Sequence, residues 1–263
     1  MAETPKTGTS DPFLALRAAT PARIGLGRAG QGLPTAAMLD FQLAHARARD
    51  AVHAALDVSR LQADLPAPAL VVDSAASDRA AYLQDPDLGR RLADGAAPLK
   101  RSDYDLALVI ADGLSAPAVQ AHAAPLVRAL YARLPDWSLA PLVIARGGRV
   151  AIGDPIGEAL GARIVAVLIG ERPGLSASDS LGVYVTWAPR TGRRDSERNC
   201  LSNIRSPGGL SAEQAADRLA WLLAEIRRLG FSGVNLKDRQ EVLQDRAGRD
   251  LPGAASSRLP GEA

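Results

Sequence analysis

Long apolar and polar alternations organise the chain before any single residue does. From Thr35 to about Leu56 the stretch TAAMLDFQLAHARARDAVHAAL contains neither Gly nor Pro and predicts one long helix, started by Pro34 and Thr35. After a linker with Pro66 and Pro68, ALVVDS predicts a strand, and YLQDPDLGRRL a broken helical stretch. DLALVIAD (105–112) is an apolar run ending at Asp-Gly, followed by a helical segment from Ser115 to Leu134 with Ser115 as its cap and Pro117 in its first turn. LAPLVIARGG predicts the next strand and GDPIGEALG a short helix. ARIVAVLIGER (162–172) is a third apolar run, too uniform for a sheet with one wet face. LGVYVTWAP alternates more, and the polar loop after it includes ERNCLSNIR. In SAEQAADRLAWLLAEIRRLG, Ser211 and Gln214 form a capping box, Ala215, Leu219, Leu222, Leu223, Ile226 and Leu229 share a face, and Gly230 ends the helix. SGVNLKD predicts a last short strand.

This order of elements predicts an α/β sheet with helices on both faces, preceded by an N-terminal helical region. The expected organisation is a leader at 1–12, the helical region and connector at 13–100, the sheet domain at 101–237 and a loose tail at 238–263. In such sheets ligands sit beyond the carboxyl ends of the strands. That rule singles out ADGLSA, GGRVAIGD and GERPGLSASDS.

Composition narrows the partners. In 263 residues, 31 basic side chains nearly balance 29 acidic ones and the arginines are scattered, which argues against nucleic acid as the default partner. Cys200 is the only cysteine, excluding an internal disulfide and a multi-cysteine metal site and suiting a reducing cytoplasm. No apolar run approaches the ~20 residues that span a bilayer.

Several motifs carry candidate chemistry. GLGRAG (25–30) matches the dinucleotide fingerprint G-x-G-x-x-G, yet no apolar strand leads into it and Gln31, Gly32 and Pro34 delay the next helix, so it reads as a Gly-rich connector. His45 and His53 lie eight residues apart on the long helix, and His122 sits near the apolar face of Val119 and Leu126; packing or surface roles are expected for all three. Ser115 lacks a nucleophile elbow, and Asp112 suits a turn or a ligand contact. Glu171 emerges from an apolar strand just before a Pro-Gly turn, which fixes a carboxylate at the crevice rim or pairs it with Arg172.

Read together, GRAG, PDLGRRL, VIADGLSA, GRVAIGDPIGEALGA, GERPGL followed by S-x-S-x-S-L-G-V-Y, RNCLSNI and GGLSAEQAA resemble the small subunit of ethanolamine ammonia-lyase, in order from about Arg23 to Lys237. The resemblance implies a Rossmann-like, mostly parallel sheet in a subunit of an adenosylcobalamin-dependent lyase that converts ethanolamine to acetaldehyde and ammonia. It implies a TIM-barrel large subunit, cobalamin held between the two chains, and six copies of each. By motif, the cobalamin contacts fall on Val150, Glu171 and Cys200, with no catalytic residue and no metal ligand in this chain. No D-x-H-x-x-G loop is present, so the resemblance implies that cobalt keeps its own dimethylbenzimidazole. Family members packaged into bacterial microcompartments carry extended N-termini, and the leader here is short by comparison. Two other functions stand beside this one: a stand-alone nucleotide-binding oxidoreductase, and a module that binds cobalamin without catalysis.

Overall fold

Uniformly apolar strands need cover on both faces, and the computed structural model shows how it is supplied. It describes residues 13–20, 22–95 and 99–236; the expected leader and tail lie outside the described residues. The helices are α1 (Leu14–Ala19), α2 (Thr35–His53), α3 (Val58–Asp64), α4 (Arg79–Gln84), α5 (Ala116–Tyr131), α6 (Gly153–Leu160) and α7 (Ala212–Leu229). The strands are β1 (Ala69–Asp73), β2 (Tyr104–Ala111), β3 (Leu142–Arg146), β4 (Ala162–Gly170), β5 (Leu181–Trp187) and β6 (Arg198–Ile204). They form one sheet in the order β1-β3-β2-β4-β5-β6.

The sheet is mixed, which corrects the expectation of a mostly parallel one. β1, β3, β2 and β4 run parallel, whereas β5 is antiparallel to β4 and β6 to β5. The physical reason is in the connection: residues 171–180 join β4 to β5 without a helix, too little chain for the crossover that a parallel neighbour requires. Two more expectations change. The polar loop at 198–204 is the edge strand β6, and SGVNLKD forms no strand over its described residues. Instead, the side chain of Asn199 donates to the carbonyls of Gly233 and Leu236 and accepts from the Gly233 N–H. β1, from the segment 13–100, is hydrogen-bonded into the same sheet as the later strands.

One face packs Leu106, Leu108, Ile110, Ile164, Leu168 and Val183 under α5 and α7. On α5, Leu126 and Leu130 are fully buried, and each contributes about 1.5–3 kcal/mol relative to exposure. The predicted caps are present. Ser115 Oγ accepts from Ala118 N at 3.3 Å, and Ser211 and Gln214 close their box at 3.2 and 3.0 Å. The opposite face packs Ala107, Val109, Val143, Val165 and Val167 under Ile152, Ile156 and Leu160 of α6 and the turn before it. α6 approaches closely because it offers glycine: a Cβ on Gly153 would lie 2.4 Å from Val167, and one on Gly157 2.6 Å from Pro189. On the far strands this helix cover reaches only the end at Thr186 and Arg198. On the α6 face of β5 and β6, Tyr184 is half-buried and Cys200 and Ser202 are exposed.

Candidate functional site

The three loops singled out by the strand-end rule converge. Asp112, after β2, accepts from Gly148 N of the GGRV loop at 3.2 Å. Gly113 and Gly170 bring the ends of β2 and β4 into backbone contact, with Leu114 N donating to Gly170 O at 2.9 Å. A Cβ on Gly113 would stand 2.3 Å from that carbonyl, so the approach requires glycine, and its φ of +57° favours one as well. Ser115, besides capping α5, donates to Ser178 O at 2.8 Å and so ties down the loop that follows Glu171.

Glu171 leaves β4 at the rim, half-buried beside an exposed Arg172. Its carboxylate turns to the neighbouring strands: Ser202 Oγ donates to Oε1 at 2.5 Å, while Ser180 Oγ and Asn203 N donate to Oε2 at 2.5 and 3.3 Å. Gly182 makes room for it, since a Cβ there would lie 2.8 Å from Oε1. Tyr184, two residues along the same face of β5, pairs in register with Cys200. Cys200 is exposed as a residue, yet its sulfur lies against Tyr184 and near Glu171. Burial pushes the thiol up, hydrogen bonding from Tyr184 opposes this, and the Glu171 charge raises it further. Burial likewise raises the Tyr184 phenol, with Cys200 and Glu171 adding to it. Both groups are therefore neutral near pH 7, which argues against Cys200 as a thiolate nucleophile.

Val150 stands half-buried in a turn, Val150–Ile152, on the same face, against the apolar cluster that Tyr184 also edges. Its loop is held from below. Arg149 N donates to Gly89 O at 2.7 Å, and a Cβ on Gly89 would meet Arg149 Cγ at 2.7 Å, which explains the glycine of PDLGRRL. The Arg79 and Arg149 guanidiniums both lie over the Tyr82 ring, 4.6 and 4.2 Å from its centre, and Tyr82 donates to Gly148 O at 3.3 Å. Burial raises the Asp112 carboxyl, with Arg79 and the loop N–H groups acting against it.

The site residues expected from motifs thus share one face: Glu171 and Cys200 adjoin through Tyr184, and Val150 flanks the same cluster. Sequence reasoning missed Ser180, Gly182, Tyr184 and Ser202, although the alternation of Gly182 with Tyr184, and of Cys200 with Ser202, is the signal that puts them together. A buried pair fixes the far rim. Arg198 is bidentate to Asp154 at 2.7 and 2.8 Å, both side chains 2% exposed, and donates to Thr186 Oγ1 at 2.8 Å. The remaining motifs lie elsewhere. GLGRAG is an irregular connector, with no strand before Gly25 among the described residues and α2 beginning at Thr35. His45 and His53 are exposed on α2, and His122 is half-buried, 3.9 Å from Asp179. No group of three or more metal-binding side chains occurs among the described residues.

The family model for "Ethanolamine ammonia-lyase light chain (EutC)" matches residues 10–237, nearly the whole chain and every loop of this site. The chain belongs to this family. Similar light-chain relatives, each named "Ethanolamine ammonia-lyase small subunit", include one from Azotobacter vinelandii, 54% identical over 246 residues and 91% of that protein. Another from Ralstonia nicotianae is 52% identical over 259 residues, and one from Pseudomonas fluorescens is 50% identical over 263. They cover 89%, 94% and 95% of this chain. Like the rest of the light-chain family, it is a subunit of a lyase. No helix among its described residues is long and apolar enough to cross a membrane.

Proposed function

We propose that this chain is the small subunit of an adenosylcobalamin-dependent ethanolamine ammonia-lyase, and that its open face over β5 and β6 is one wall of the cobalamin site. The large subunit, a TIM barrel in this reading, is the opposite wall, and six copies of each chain make the complex, in the cytoplasm. The parallel half of the sheet is its Rossmann-like core.

The fit to the cofactor rests on the Glu171 carboxylate. It is preset by Ser180, Ser202 and Asn203 and still has acceptor capacity for a neutral amide N–H. A corrin presents such amides around an apolar face. Val150 and the half-buried ring of Tyr184 offer an apolar contact, Cys200 a neutral thiol, and Gly182 the space. When bound, the cofactor supplies the cobalt–carbon bond from which radical chemistry starts. This chain orients, excludes water and contributes no catalytic residue. His122 on α5 lies 3.9 Å from Asp179 of the loop after β4, and no D-x-H-x-x-G loop would offer cobalt a histidine, so a bound cobalamin would keep its own dimethylbenzimidazole; spectra showing a protein histidine on cobalt would refute this.

The test is reconstitution. Acetaldehyde is expected only when the chain, the large subunit, adenosylcobalamin and ethanolamine are combined. NAD-dependent turnover by the chain alone would instead identify a nucleotide enzyme, and tight cobalamin binding without a partner a binding module. Glu171→Gln, which weakens the acceptor, is expected to loosen cobalamin in the complex; unchanged retention removes Glu171 from the site.

A further inference from the structure

Resting on the reading of this chain as one half of a two-subunit enzyme, we propose that the outward surface of α1 and α2 is where the large subunit docks, continuous with the loop that carries Glu171. The observation behind it is an inverted helix. α2 turns small side chains toward the body: Ala37, Ala44 and Ala48 are half-buried and Ala51 is its only fully buried residue. Its large apolar side chains point away, with Met38 43%, Leu39 55%, Phe41 44% and Leu43 49% exposed. At 3.6 residues per turn these four span an arc of roughly 200°. A surface helix of a self-sufficient domain does the reverse and puts its apolar stripe on the core. α1 buries none of its residues either, although Leu14 and Leu16 are among them. An apolar surface of this kind marks a place where another macromolecule sits.

The surface runs into the candidate site. Leu175, in the turn that begins at Glu171, is also exposed. A groove of about 390 Å³ separates Leu175 and its neighbours from Leu43 and Arg47 of α2. Arg23 bridges the two sides, donating to Leu175 O at 3.4 Å with its guanidinium 5.9 Å from the Phe41 ring centre. A protein that closes over Glu171 thus has this flank within reach through the 174–179 loop. Charge selects the partner further. Residues 13–53 carry five arginines against two aspartates, so the complementary surface is apolar and ringed by carboxylates. A second copy of this chain would bring like charges together across a two-fold axis, which disfavours it as the occupant.

Hydrogen exchange on the full chain, alone and in the complex with the large subunit, tests the placement. Amides of residues 13–43 are expected to slow on complex formation. In addition, a Met38→Glu, Leu39→Glu double variant is expected to keep the circular dichroism and melting of the free chain. Its affinity for the large subunit should fall by about tenfold or more, the scale set by central interface residues, with acetaldehyde formation recovering at high subunit concentration. An active wild-type complex in which 13–43 exchange unchanged, or a double variant that binds normally, overturns the docking site and leaves the enzyme reading intact. So does a stable dimer of the chain alone that protects this same surface. Failure of the wild-type chains to associate or to produce acetaldehyde overturns both.

Discussion

A methyl group added at Gly182 would arrive 2.8 Å from Glu171 Oε1 and 3.1 Å from its Cγ, on the open side of β5. The obstacle is the end of a flexible side chain, so the expected response is displacement of the carboxylate and not loss of the fold. Gly182→Ala is predicted to weaken cobalamin retention by the complex by about tenfold, or ~1.4 kcal/mol, with melting close to wild type. Absorbance titration of the complex measures this, and undiminished retention would separate Glu171 from the cofactor. Tyr82 gives a second test. It is 1% exposed, and burial pushes its phenol from 10.0 up to about 12, with Arg149 and Arg79 opposing and Asp112 reinforcing the shift. Above pH 10 the unfolded chain releases this proton first. The stability tied to the neutral phenol is then complete below pH 10 and lost as pH rises toward about 12. Denaturant unfolding across that range is expected to show the decline, and Tyr82→Phe to flatten it.

At the level of elements, the Asp154 and Arg198 pair joins the first turn of α6 to the start of β6. Arg198→Met strands a carboxylate that is 2% exposed, at a cost of about 3–5 kcal/mol. Replacing both partners by apolar residues is predicted to restore much of that loss, as read from urea unfolding midpoints; equal losses in the single and double variants would mean that packing dominates. The same elements mark how far sequence reading reached. β2 and β4 were legible because cover on both faces makes each a continuous apolar run, and α5 and α7 because their caps are local chemistry. The placement of Glu171 was legible for the same reason, as the residue where such a run meets Pro-Gly. β6 was not: its open face carries Cys200 and Ser202, and Leu201 and Ile204 reach the other face three residues apart across a register shift, so no period of two distinguishes it from a loop. The reversal at β5 could have been read from the absence of a helix in 171–180. The role of Gly89 could not, because it depends on contact with Arg149, sixty residues away, and with Tyr82 of α4.

At the scale of the molecule, β4, β5 and β6 form a meander whose partners are near in sequence, such as Thr186 with Arg198, whereas β1 reaches β3 by pairing Ala69 with Leu142. Short loops close at lower entropic cost than long ones, so contacts of small sequence separation tend to form first. The meander is therefore predicted to gain protection early in refolding and β1 last. Pulsed hydrogen exchange would show the order, and simultaneous protection of β1 and β5 would refute it. A kinetic asymmetry follows from the edge position of β1: the proposed cofactor wall on β5 and β6 would be complete before this edge closes on β3, so a newly made chain would be able to meet its ligand before its own sheet is finished.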